Sequence, residues 1–116
     1  LAFTIATLGV AAGLAHSAAA ASASSIAAGR EIAMNVCSAC HAVSEHPEFP
    51  PLLDQPAPSF QVIADRPATT AASLRRYVTT THWDETSIPM TMPNLMLQSD
   101  QADQVARYII SLRKVK

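Results

Sequence analysis

Cys37-Ser38-Ala39-Cys40-His41 decides how the rest of this chain is read. Residues three and four apart share one face of a helix. On such a helix two sulfurs and an imidazole point in one direction. Upstream, Ile32 and Val36 recur with Cys40 at helical spacing, so a helix is expected over residues 27–41. Downstream the character changes at once. Prolines stand at 47, 50, 51, 56 and 58, and neither a helix nor a central strand can run through them.

Three more helices are expected beyond that loop. Ser59, after Pro58, is a good N-cap for a short helical turn. Thr70 caps a third segment that carries Leu74, Tyr77 and Val78. The last is the clearest: Ser99 as N-cap, Asp100 in the first turn, and a stripe of Ala102, Val105, Ile109 and Leu112. Arg113 and Lys114 follow, where cations favour a helix C-terminus. Residues 79–97 form a second loop, with Pro89 and Pro93. No segment alternates like a strand and none repeats. Long irregular loops in a small domain call for a function, and wrapping a cofactor is one.

C-x-x-C-H is the attachment signature for c-type haem. Two thioethers would fix the porphyrin and His41 would reach the iron. A disulfide or a thioredoxin-like dithiol needs only the cysteine pair, but the latter belongs beside a βαβ unit, and no strands are expected here. A structural zinc site wants four protein ligands, and there is no second cysteine pair. Those readings, and a chance occurrence of the motif, are the weaker ones.

Of the 116 residues, the first fifteen are uncharged, and small residues with several Ala-x-Ala frames follow. That pattern reads as a secretory signal peptide over residues 1–23, cleaved, with its basic start missing. Fifteen apolar residues fall short of the roughly 20 that span a bilayer, so no membrane span is expected in the mature part. Residues 24–116 would form one domain, periplasmic and of bacterial origin. The net charge of −1 excludes the clustered Lys/Arg excess of a nucleic-acid partner. With only Phe49, Phe60, Tyr77, Trp83 and Tyr108 as aromatic residues, this domain needs a staple, and a large buried cofactor would serve.

From about residue 29 to 112 the chain resembles the class I cytochrome c family, monohaem with His/Met ligation. The resemblance rests on Gly29 eight residues before Cys37, on Cys37-Ser38-Ala39-Cys40-His41, on Ala57-Pro58-Ser59-Phe60, on Met92-Pro93-Asn94 and on Tyr108-Ile109-Ile110-Ser111-Leu112. It implies an all-α fold of three to five helices, with long loops wrapped around one haem c attached through Cys37 and Cys40. It also implies that Gly29 and Tyr108 meet where the first and last helices cross. Ala33 departs from the family, where a larger residue is common, so a loosely packed crossing is expected.

The same resemblance assigns His41 as the proximal iron ligand and Met92 as the distal one. Met90 is the runner-up; Met96 and His82 are weaker rivals, and Met34 is expected to pack in the core. The Pro58 carbonyl would accept the proton on the second ring nitrogen of His41, with Pro56 as the near alternative. Trp83 and Tyr77 are candidates for the haem propionates, and His46 is expected to be exposed. A His/Met pair raises the haem potential and leaves no open coordination site. The expected role is therefore electron transfer, not enzymatic turnover. The leading reading is a soluble periplasmic carrier with redox-protein partners. The alternative is a haem-bearing subunit of a periplasmic dehydrogenase, and a sensor or enzyme with a labile sixth ligand comes third.

Overall fold

The computed structural model describes residues 11–53, 57–80 and 92–114. Helix α1 spans Ala11–Ile32 and passes directly into a π-turn over Ala33–Cys37. Helices α2 (Phe60–Asp65), α3 (Ala71–Thr79) and α4 (Ser99–Ser111) complete an all-α fold, and the described residues contain no strand.

The first helix differs from expectation at both ends. It is continuous across positions 23 and 24, and residues 17–24 are exposed or nearly so. Ile26 packs against the core. At its other end the regular helix stops at Ile32 and widens, because one residue more per turn is accommodated there. Two side chains satisfy backbone carbonyls around the wide turn. Asn35 donates to the Glu31 carbonyl at 2.9 Å, and Ser38 donates to that of Met34 at 2.6 Å.

α1 and α4 cross at Gly29. A Cβ there would fall 2.5 Å from the carbonyl carbon of Gln104 and 3.0 Å from Cβ of Tyr108. Only a residue without a side chain allows this approach. Ala33, one turn further on, is fully buried, so the expectation of loose packing at this crossing is not met.

α4 presents Ala102, Val105, Ala106, Tyr108 and Ile109 to the core. Its N-cap is Gln98, not Ser99. The Gln98 amide donates to the Gln101 side chain at 2.9 Å, and the Gln98 side chain accepts the amide three residues on. α3 starts as expected, with reciprocal bonds between Thr70 and Ser73, and buries Leu74 and Val78. Tyr77, expected on that apolar side, is exposed.

Arg113 does not serve its own helix. Its Nε donates to the Ala64 carbonyl at 2.7 Å and its Nη2 to the Thr69 carbonyl at 2.6 Å. One guanidinium thus ties the end of α4 to the end of α2 and the turn after it. Gln61 adds a bond to the Leu112 carbonyl at 2.8 Å.

Candidate functional site

The π-turn ends at Cys37, and the chain then doubles back on itself. The amides of Cys40 and His41 both donate to the Cys37 carbonyl, at 3.1 and 3.0 Å. Cys37 is buried, Cys40 and His41 are half-buried, and Ala39 faces solvent. No disulfide joins the two sulfurs.

The proline-rich loop is sewn onto this turn residue by residue. The Leu52 amide donates to the Ala39 carbonyl, that of Ala57 to Cys40, and that of Phe60 to Ala42, all at 2.9–3.0 Å. A single parallel bridge pairs His41 with Ala57. Prolines donate no such bond, so the donors are Leu52 and Ala57 among them and Phe60 just after them, at the start of α2.

This stitching delivers Pro58 to the imidazole. His41 Nδ1 lies 2.7 Å from the Pro58 carbonyl oxygen. A carbonyl only accepts, so Nδ1 carries the proton, and in the neutral ring Nε2 is the nitrogen with the free lone pair. On one flank the ring meets Phe60, with centroids 5.4 Å apart and planes tilted by 50°. Phe60 meets Tyr108 in turn at 6.3 Å, and the Tyr108 hydroxyl donates to the Val43 carbonyl at 2.7 Å. The imidazole is thus connected through two rings to the helix crossing at Gly29.

Burial, followed by the neighbouring Cys40, pushes the Cys37 thiol up to about 11. A redox-active dithiol needs the opposite shift. A neutral group suits this position, and a thioether is neutral. The described residues hold no cluster of three or more His, Cys, Asp and Glu side chains that could bind a metal ion. Two unbridged cysteines on one turn, a following imidazole held by a backbone carbonyl, and burial around the first sulfur together fit a haem joined by two thioethers. A haem c would be attached through Cys37 and Cys40.

Met92 is half-buried and is the first described residue of the irregular stretch that leads into α4. Met34 is partly buried against the core. Met96 is exposed, with φ of 54° in the left-handed region. His46 is exposed. Met90, His82, Trp83 and Pro56 lie outside the described residues. Sequence reasoning overlooked the Phe60 ring beside the imidazole, although an aromatic residue two positions after Pro58 was the available signal.

The family model for cytochrome c matches residues 26–113. No curated protein and no solved structure matches the chain.

Proposed function

The chain belongs to the cytochrome c family, and from that premise we propose that it is a soluble periplasmic electron carrier with iron held by His41 and Met92. When bound, haem c supplies a one-electron couple at its iron. Everything else falls to the polypeptide. His41 offers Nε2 to the iron because Nδ1–H is committed to Pro58, and this second bond fixes ring orientation and raises the basicity of the ligand. Phe60 limits tilting of the ring.

Met92 supplies the thioether. Pro93 after it locks one backbone torsion, and Leu95 packs against the core. With His41 and Met92 both holding the iron, dioxygen and peroxide would find no open site, which would favour outer-sphere electron transfer over turnover. The carrying observation is the 2.7 Å contact between His41 Nδ1 and the Pro58 oxygen.

Residues 1–23 fit export, the compartment where c-type haem is attached. No helix among the described residues is long and apolar enough to cross a membrane. With a net charge of −1 and both signs interspersed, long-range steering is weak, so a modest dependence of the reaction rate on ionic strength is expected.

Two measurements test this reading. The ferric protein should show the near-infrared thioether-to-iron band, Met92→Ala should abolish it, and ferrous wild type should not take up carbon monoxide. A band that survives in Met92→Ala, or ready carbon monoxide binding by the wild type, refutes the ligand assignment. Native purification from periplasmic extract should yield the protein alone. Stoichiometric co-purification with a dehydrogenase would make it a subunit instead.

A further inference from the structure

The segment between Met92 and α4 holds a feature that the ligand assignment does not use. The Met96 amide donates to the Asn94 side-chain oxygen at 2.9 Å, closing a tight turn. Met96 itself adopts φ of 54°, and it is the only non-glycine residue with positive φ among the described residues. A side chain resists that conformation. Burial of the Met96 side chain cannot be the reason for it, because the residue is 77% exposed. What the turn achieves is visible in its neighbours: Leu95 and Leu97 both pack against the core, while Met96 points outward.

We propose that Asn94 is a positioning residue for the distal thioether. This rests on the reading of Met92 as ligand. Between Met92 and the anchored Leu95 stand only Pro93 and Asn94. The pyrrolidine ring fixes φ of Pro93. The bond from the Met96 amide fixes the Asn94 side chain against the turn and holds that turn in its left-handed form. Met92 is thereby tied to the core through a short tether with few soft torsions. Opening the turn lengthens the tether's reach and lets the thioether leave.

Imidazole reads this out, because it binds ferric haem only in the fraction of molecules whose distal thioether has moved away, and its apparent affinity scales with that fraction. The holoprotein should be compared with Asn94→Ala, Asn94→Asp and the double variant Asn94→Ala/Met96→Gly. Asn94→Ala should bind imidazole about tenfold more tightly, equivalent to about 1.4 kcal/mol, with a weakened near-infrared band. Asn94→Asp retains the acceptor and should stay near wild type. The double variant should recover most of the loss, because glycine enters the left-handed region freely.

If Asn94→Ala lowers thermal stability but leaves imidazole affinity and the band unchanged, the residue is merely structural and the proposal is wrong. Failure of Met96→Gly to rescue overturns it as well. In the ferrous wild type the Met96 amide should be protected from hydrogen exchange, and free exchange there refutes the clamp without any variant. Persistence of the band in Met92→Ala is a different failure: it removes the ligand reading on which the clamp depends.

Discussion

The carbonyl oxygen of Pro58 stands 2.7 Å from Nδ1 of His41, across seventeen residues of chain. The oxygen belongs to the backbone, so no substitution deletes it; what substitution can change is how firmly it is held. Proline holds it by fixing φ, and the amides of Ala57 and Phe60 hold it by bonding to Cys40 and Ala42 on either side. Pro58→Gly should loosen the first restraint and leave the others. A weaker acceptor makes the imidazole a poorer donor to iron. The midpoint potential should rise on the order of 30 mV, half of the 59 mV that corresponds to tenfold for one electron. Protein-film voltammetry measures it, and an unchanged or lower potential would refute the role given to this contact.

Gly29 is the position where a single methyl group should do most damage. Both nearest atoms to a new Cβ belong to the Gln104 backbone, so no flexible side chain can swing aside. Gly29→Ala must push α1 off α4. Overpacking usually costs 1–3 kcal/mol, and a backbone clash at the main helix crossing belongs at about 3 kcal/mol. At 4–8 °C per kcal/mol, the melting temperature should fall by roughly 12 °C or more. A variant that melts with the wild type would mean that the crossing is not as close as described.

Whether such a feature is legible in the sequence depends on whether a residue type reports its own conformation. Gly29 does, since glycine eight residues before Cys37 has little reason to be there except close approach. Thr70 and Ser59 do, because hydroxyls at helix starts accept amides. The π-turn does not: over five residues, the spacing of Ile32, Val36 and Cys40 is the same for an ordinary helix and a widened one. Gln98 was hidden by Ser99, a better cap by type that lost to the reciprocal bonding of two glutamines. Met96 gives no sign of its left-handed backbone, because the cause sits in Asn94. Arg113 reads as a cation for its own helix end, yet it bonds to carbonyls about 45 residues away in sequence.

That arginine makes its own prediction. Charge-assisted bonds to neutral acceptors contribute about 1.5–3 kcal/mol, and solvent access to the outer nitrogens places Arg113→Ala near the lower end, about 1.5 kcal/mol. Arg113→Lys should recover less than half, since an ammonium cannot span the Ala64 and Thr69 carbonyls at once. Denaturant unfolding followed at the haem band compares the three proteins. Full recovery by lysine would show that charge matters there and geometry does not.

Tyr108 links stability to pH. Burial pushes its phenol above the ordinary value, with a nearby Arg30 opposing. The folded protein therefore keeps the phenolic proton to higher pH than the unfolded chain does. The sign follows: the stabilisation is fully present below about pH 10, where tyrosine in an unfolded chain titrates, and is lost as pH rises through the folded value. Tyr108→Phe should cost about 1 kcal/mol at neutral pH, for the lost bond to Val43. It should also unfold less steeply above pH 10, because the ionisable group is gone. Identical alkaline profiles for the two proteins would exclude Tyr108 as the source.

Met96 offers a test in the opposite direction, toward greater stability. A left-handed backbone costs a non-glycine residue about 1–2 kcal/mol. Met96→Gly removes that cost but frees the unfolded chain by roughly 0.5–1 kcal/mol, so the net gain should be about 0.5 kcal/mol. Met96→Asn should do slightly better, since asparagine tolerates the same region without the entropy penalty. Little packing is forfeited in either case, because the methionine side chain is mostly in solvent. The three proteins should therefore rank asparagine, glycine, methionine in thermal midpoint, from highest to lowest. If both instead fall below wild type, the exposed thioether makes a stabilising contact that outweighs its backbone strain, and the turn at Asn94 is not under the tension that its geometry implies.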